Sequence, residues 1–457
     1  MDGAQTVDGV QLFEASTLYG AATLAAALDA GQFGPREGTR RILVATNNAA
    51  VPETSTPFTD MNGFAALRDR FDEVVDWNAA IRPHHPSGWA PRGEDVPLWE
   101  RAFRHAWKLG DAPLELAVES IHAGPGKALS GLFATATLHV YADGLMSYGP
   151  TRNRLPRSTA SRIQRLLHLD LVRGLRPMLL TEHGVEAETV PDDAFTAVLG
   201  ELGAAAGDDP ALDRLAAAGP TAVLLGQYLA ALGILEPDEE EELHARMLRG
   251  AAAAGHEIVA FKPHPSAPAR YSQALEKAAA DSGVRLHVLD SPVLAEAVYA
   301  RCRPRLVVGC FSTALLTAAT YYGIPIARVG TGLLLDRLTP YENSNRVPVT
   351  LVDAVVPAVE DAPEAVPDPD PEEVTGLVRA VGFCMQAALY PRLRTEVSAW
   401  LSRNLNADTR RYFRRRRLTS LVLPGGGTGA RTRILRRYPQ VGRVARRVRA
   451  VRRAARG

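Results

Sequence analysis

Short apolar blocks alternate with amphipathic stretches along most of this chain, which is the pattern of strand, helix, strand. Val10 to Glu14 predicts a first strand, and Thr17 to Leu28, with Ser16 as its cap, predicts the helix after it. Arg41 to Thr46 (RILVAT) predicts a second buried strand, Gly63 to Asp72 a helix, and Glu73 to Trp77 a third strand. Leu114 to Ile121 and Leu138 to Ala142 continue the series, with Lys127 to Ala136 between them. Glu186 to Pro220, a mixture of acids, prolines and small residues, predicts a connector. The alternation then restarts with a strand at Thr221 to Gly226, a helix at Pro237 to Ala254 and a strand at Glu257 to Phe261. Pro268 to Asp281, Arg285 to Leu289, Pro292 to Arg301, Leu306 to Cys310, Thr313 to Tyr322 and Ile324 to Arg328 carry it on. Pro357 to Pro371 is acidic and Pro-rich and predicts an exposed loop; Thr375 to Leu405 predicts one or two closing helices.

Such alternation implies an α/β protein with parallel sheets covered by helices on both faces. Two similar halves facing each other would enclose a deep cleft, and ligands on such sheets sit beyond the carboxyl ends of the strands. The division predicted is a first domain over residues 8–190, a second over 218–350, closing helices over 375–409 and a tail over 410–457.

Composition narrows the class. The 457 residues suit two or three domains, and 46% hydrophobic with 23% charged residues is the balance of a soluble globular protein. No run approaches the ~18 uncharged apolar residues of a membrane-spanning helix. The opening MDGAQTVDGVQLFEASTLYG has no basic leader before an apolar core, so a cytoplasmic location is the default expectation. Three cysteines, Cys302, Cys310 and Cys384, are too few and too scattered for a disulfide framework or a zinc cluster. The net charge of +1 conceals an asymmetry: 17 arginines and no acid follow from Arg410 onward, so an acidic body carries a basic tail.

Three stretches at predicted strand ends carry candidate chemistry. In LHVYADGLMSYGP, Asp143 leaves a strand into a Gly turn, where it can face the cleft and take a proton from a hydroxyl; alone, the same residues suit an Asp-Gly turn that binds its own backbone. In FKPHPS, alternation places Lys262 and His264 on one face, with Pro263 and Pro265 holding the loop extended. A cation beside an imidazole suits a phosphate, the first supplying charge and the second a hydrogen bond or a proton; a rigid turn with a solvated His is the alternative. In VVGCFSTALLTA, Ser312 and Thr313 open a helix, whose hydroxyls and free amides form an anion site or an ordinary cap.

The order of these three, with QLFEASTLYG, RILVATNN, YADGLMSYGPTR and HLDLVRGL, resembles the bacterial sialyltransferases and, among them, the alpha-2,8-polysialyltransferase-like family, over about Val10 to Val347. The resemblance implies two Rossmann-like domains of the B-type glycosyltransferase architecture, with nucleotide on the C-terminal half and acceptor on the N-terminal half. The family's pair of acids before Gly stands here as Ala142-Asp143, so the first acid is missing and the general-base role falls to Asp143. His264 and Pro265 match its His-Pro motif, implying contact with CMP and protonation of the leaving phosphate. Ser312 and Thr313 match its Ser-Thr motif, implying phosphate contacts, and Ser291 and Pro292 are candidates for holding cytidine. Ser16, Thr17 and Gly144 fall on the acceptor side. The implied reaction is inverting transfer of sialic acid from CMP-sialic acid to a glycan or glycolipid hydroxyl, with no cofactor and no metal. The Asp368-Pro-Asp370 sequence lies in the acidic proline loop, where solvent exposure is the reading.

Two other functions fit the same fold: transfer from another nucleotide sugar, and a catalytically silent scaffold that binds anionic polymer. In the tail, Val444, Val448 and Val451 recur at helical spacing among arginines, predicting a basic helix over Gly442 to Ala455 that meets an anionic membrane surface through Arg410 to Arg456 at the inner face of the cell membrane; a disordered basic end is the alternative. Nucleic acid is not an expected partner.

Overall fold

A computed structural model describes residues 9–264 and 271–427 of the chain. The expected helix over Gly442 to Ala455 and the candidate Pro265 lie outside the described residues.

Two parallel sheets form the frame. The first has β1 (Gly9–Ala15), β2 (Thr39–Ala45), β3 (Glu73–Asp76), β4 (Leu114–Val118), β5 (Thr137–Ala142), β6 (Ile163–His168) and β7 (Glu186–Thr189), in the order β3-β2-β1-β4-β5-β6-β7. The second has β8 (Ala222–Leu225), β9 (Ile258–Lys262), β10 (Arg285–Val288), β11 (Leu306–Gly309) and β12 (Ile326–Arg328), in the order β10-β9-β8-β11-β12. Each sheet reverses its strand order beside its own first strand, β1 against β4 and β8 against β11. Diverging crossovers leave a crevice at that point, so the chain ends leaving β1, β4, β8 and β11 are where a ligand is expected.

The strands form because β-branched and apolar residues fill positions buried on both faces, as in β11, Leu306–Gly309, and β8, Ala222–Leu225, each buried throughout. One face of the first sheet packs on helices in a continuous core that runs through both halves, from Phe13 and Leu43 to Val223, Val307 and Phe383. Its other face has a separate core of Leu12, Val44, Leu116 and Val140 under the aromatics Trp77, Phe103 and Trp107.

The expected connector over Glu186 to Pro220 is instead β7 followed by helices Asp192–Ala205 and Pro210–Ala218. Its prolines and acids are helix starts: Asp209 accepts from the amides of Ala211 and Leu212 at 2.9 Å, with Pro210 opening the helix. Helix Asp192–Ala205 bridges the halves, its Phe195 ring lying 5.5 Å from Tyr19 and 5.2 Å from Tyr321.

Other boundaries shift too. The helix expected over Gly63 to Asp72 is only Phe64–Arg68, and Trp77 leaves the third strand to begin a helix capped by Asp76. The closing helices are Pro371–Gln386, which starts early because Asp370 caps it, and Arg394–Asn404. Between them Tyr390 returns to the first half, its hydroxyl accepting from the Thr151 amide at 2.9 Å and donating to Glu182 Oε2 at 2.8 Å.

The basic segment does not leave the body at Arg410. Tyr412, Phe413, Leu418 and Leu423 are buried, Arg411 Nε lies 3.0 Å from Asp353 Oδ2, and the Tyr412 hydroxyl donates to the same oxygen at 2.9 Å. Arg417 pairs with Glu342 at 2.8 Å and donates to the Met385 carbonyl at 2.9 Å. Arg411 and Arg417 are therefore structural, and the chain packs on the body through Leu423. No helix among the described residues is long and apolar enough to cross a membrane.

Candidate active site

The crevice of the first sheet is lined by carboxylates. Glu14, near the end of β1 and 1% exposed, accepts from the Glu119 amide at 3.0 Å. Glu119 follows β4 and takes the Ser16 hydroxyl on its Oε2 at 2.6 Å. Asp143 follows β5 and faces the first turn of helix Leu18–Asp29, where a Cβ on Gly20 would lie 3.4 Å from Asp143 Oδ2 and 3.0 Å from the Tyr141 hydroxyl. That hydroxyl donates to the Glu14 carbonyl at 3.0 Å. Burial first, then the charge of Glu119, holds Glu14 and Asp143 well above the ordinary carboxylate range. Glu119 is raised as well, chiefly by burial, while the Ser16 hydroxyl and amide favour its anion. Glu119 draws hydrogen-bond support for negative charge from the side chain and amide of Ser16, and Glu14 from the Glu119 amide, while the charge of Glu119 makes Asp143 more basic.

Ser16 is not the helix cap. Thr17 is, its Oγ1 accepting from the Gly20 amide at 2.9 Å, which leaves the Ser16 hydroxyl for Glu119.

The second sheet supplies the facing wall. Lys262 ends β9 at 8% exposed, and its Nζ donates to the Ser291 carbonyl at 2.9 Å, tying the end of β9 to the turn after β10. Burial pulls its pKa down to about 8, against the attraction of Asp290, Asp209 and Glu296, so it stays largely charged at neutral pH. His264, two residues on, is drawn down to about 4 by burial and then by Lys262. Its imidazole lies 4.0 Å, centroid to centroid, from the ring of Tyr228 in the turn after β8. The Ser291 hydroxyl is committed to Asp209 Oδ2 at 2.6 Å, and Pro292 is exposed. Ser312 caps helix Thr313–Tyr322 by accepting from the Ala314 amide at 3.3 Å.

Thr313 then crosses to the first half. A Cβ on Gly144 would lie 2.6 Å from Thr313 Oγ1, inside contact distance, so the Asp-Gly turn and the Ser-Thr turn touch only because position 144 lacks a side chain. Below them the Tyr19 and Thr317 hydroxyls are 3.0 Å apart. The turn that carries Asp143 and the helix start at Ser312 and Thr313 are therefore in contact.

The sequence model of the alpha-2,8-polysialyltransferase (POLYST) family matches residues 11–331. The chain belongs to this family. It is accordingly a glycosyltransferase, and a sialyltransferase by family. Among solved structures it is similar to the GT-B domain of a sialyltransferase from Photobacterium damselae, at 11% identity over 76% of this chain and 96% of that one, with a TM-score of 0.39. It is also similar to MurG from Acinetobacter baumannii, at 12% identity over 88% of this chain and 97% of that one, TM-score 0.37. A third likeness is to the UDP-GlcNAc 2-epimerase of Methanocaldococcus jannaschii, at 10% identity over 82% and 99%, TM-score 0.40. No curated protein matches the chain at the threshold applied.

For a polysialyltransferase-family chain, the absent first acid at Ala142 acquires a structural setting. Ala142 is packed into the core on the outer face of the first sheet, with Val140 and Leu166. Carboxylates act on Asp143 instead from the ends of β4 and β1, as Glu119 and Glu14. Sequence reasoning passed over both because each sits in an otherwise apolar stretch, Glu14 within β1 in VQLFEA and Glu119 just past β4 in ELAVES. A carboxylate within or at the end of an apolar strand block is itself the signal that could have found them. Glu296, in helix Ala295–Cys302, 3% exposed and raised to about 7 by burial, and Tyr228, in the turn after β8, were missed as well, since neither belongs to a motif.

Proposed function

We propose that this chain transfers sialic acid from CMP-sialic acid to a glycan hydroxyl, with inversion at the anomeric carbon and without a metal ion. The observation that carries the reading is the close approach of Gly144 to Thr313, which brings the turn bearing the carboxylate after β5 against the helix start after β11.

Asp143 is the base in this reading. Its raised pKa suits it to take the acceptor O–H proton as that oxygen attacks the anomeric carbon of the sialic acid, and it acts in its unprotonated form. The bond from that carbon to the phosphate oxygen breaks, its electron pair leaves with CMP, and His264 supplies the proton that neutralises the leaving phosphate. Burial and the charge of Lys262 leave His264 neutral at pH 7. An anionic phosphate seated beside it opposes the effect of Lys262 and raises its pKa, so the acid is armed by donor binding. Lys262, with the free amides and hydroxyls at Ser312 and Thr313, supplies positive potential for that phosphate. These groups do by fixed charge and dipole what a divalent cation does elsewhere, which supports the metal-free reading.

Incubation of the protein with CMP-sialic acid and an oligosaccharide acceptor, in EDTA, with the product followed by proton NMR, tests the proposal. The β-linked donor is expected to give an α-linked sialoside at an undiminished rate. A retained anomer or a rate restored only by added Mg²⁺ or Mn²⁺ would refute the mechanism.

A further inference from the structure

The turn after β8 is held in an unusual way. The Gly226 amide donates to the Lys262 carbonyl at 2.9 Å, joining the ends of β8 and β9, and a Cβ on Gly226 would lie 2.8 Å from Phe261 Cζ and 3.1 Å from Pro263 Cα. Beyond it the backbone is gripped from below by helix Pro237–Ala253. His244 Nε2 accepts from the Gln227 amide at 3.3 Å, while Glu240 takes the Leu229 amide on one carboxylate oxygen at 2.7 Å and the Ala230 amide on the other at 2.9 Å. Glu240 and His244 are one helical turn apart and both fully buried. Burying a carboxylate is costly unless its oxygens are well bonded, and both oxygens here are used to grip the main chain of this one turn. The residue between the clamped amides is Tyr228, half-buried, with its ring tilted 41° against the His264 imidazole at 4.0 Å.

We propose that Tyr228 is a positioning residue for His264: clamped by Glu240 and His244, its ring fixes the imidazole plane towards the donor phosphate and keeps water from its covered face. The inference rests on the reading of His264 as the acid that protonates the leaving group. An unclamped aromatic on a mobile turn would offer no fixed surface, whereas this one is anchored on both sides by buried bonds to the same helix. Lys262 on β9 is the charged neighbour that acts on His264, with Asp290, Asp209 and Glu296 acting in turn on Lys262, and none of these is altered by a substitution at Tyr228 itself.

The test compares Tyr228→Ala, Tyr228→Leu and Tyr228→Phe in the full chain, with two readouts. The first is kcat and KM for CMP-sialic acid across pH. Tyr228→Ala is expected to lower kcat by about tenfold or more with KM changed less than about threefold, the scale of a misplaced catalytic group. Tyr228→Phe should restore kcat, because the ring and not the hydroxyl acts, and Tyr228→Leu should fall between while keeping the apolar bulk that the fold requires. The second readout is the His264 imidazole resonance in ¹³C-histidine-labelled protein without donor: its midpoint should rise towards the ordinary value in Tyr228→Ala and stay put in Tyr228→Phe. An unchanged kcat and an unmoved midpoint in Tyr228→Ala would overturn the proposal, as would an effect on KM alone. If His264→Ala turns over at the wild-type rate, the acid assignment fails instead, a result that the imidazole titration does not depend on.

Discussion

The hydroxyls of Tyr19 and Thr317 lie 3.0 Å apart and join the helix after β1 to the helix after β11. Thr317 sits one turn beyond Thr313, whose carbonyl accepts its hydroxyl at 3.1 Å, so the latch lies directly beneath the approach of Thr313 to Gly144. These two contacts, with the Phe195 ring between Tyr19 and Tyr321, hold the two halves together at this point.

Gly144→Ala tests the contact with Thr313. A methyl 2.6 Å from Thr313 Oγ1 forces one wall to retreat. A loss of about tenfold or more in kcat/KM is expected with little change in melting temperature, because a small displacement of the reacting groups is costly to rate. Adding Thr313→Ala should recover part of the loss by removing the clashing oxygen, and steady-state kinetics of the single and double variants would show non-additivity.

The carboxylate cluster predicts a direction for stability against pH. Glu14 keeps its proton in the folded state to a pH well above the ordinary range, whereas the unfolded chain releases it near the ordinary value. Between those two values the folded state binds more protons, so stability falls as pH rises through the window. Glu14→Gln keeps an oxygen to accept from the Glu119 amide and removes the charge. It should melt higher than wild type at pH 9, by roughly 2 °C or more, and the difference should vanish near pH 4, as thermal denaturation across pH would show.

The basic segment is predicted to divide at Gly427. Truncation after Asp408 removes Tyr412 and Arg411 from the buried Asp353 and empties the sites of Phe413, Leu418 and Leu423, and it should lower the melting temperature and abolish transfer. Truncation after Gly427 leaves every described contact intact while removing the remaining arginines. That variant should keep full transfer to a soluble acceptor and lose sedimentation with anionic liposomes, binding that 0.5 M salt should also reverse in the full chain. Equal sedimentation of the shorter chain would end the membrane reading.

Much of the frame was legible because parallel strands buried on both faces announce themselves as apolar blocks: RILVAT and TAVLLG contain β2 and β8 to within two residues. β7, Glu186–Thr189, was invisible because EAET is an edge strand held by main-chain pairing to β6. Pro191 and the Asp209-Pro210 pair read as breakers although they start helices, since a proline that cannot sit inside a helix is well placed in its first turn. At the site, the motifs located Asp143, Lys262, His264, Ser312 and Thr313 at strand ends, but not that Glu14 and Glu119 share the cluster with Asp143, nor that Tyr228 backs His264. Those relations join residues distant in sequence through strand order, which spacing along the chain does not contain. The Arg-rich composition concealed that Arg411 and Arg417 are structural, because a paired Arg417 and the exposed Arg416 look alike in sequence.

The most direct test of the account is the initial rate of CMP release from CMP-sialic acid, in the presence of a glycan acceptor, by wild type, Asp143→Asn and His264→Ala at equal, folded concentrations. Asp143→Asn and His264→Ala are each expected to fall by about a hundredfold or more, the scale of losing a positioned base or acid. Turnover of CMP-sialic acid by either variant at the wild-type rate, or its absence in the wild type alongside consumption of a UDP-sugar, would contradict the account.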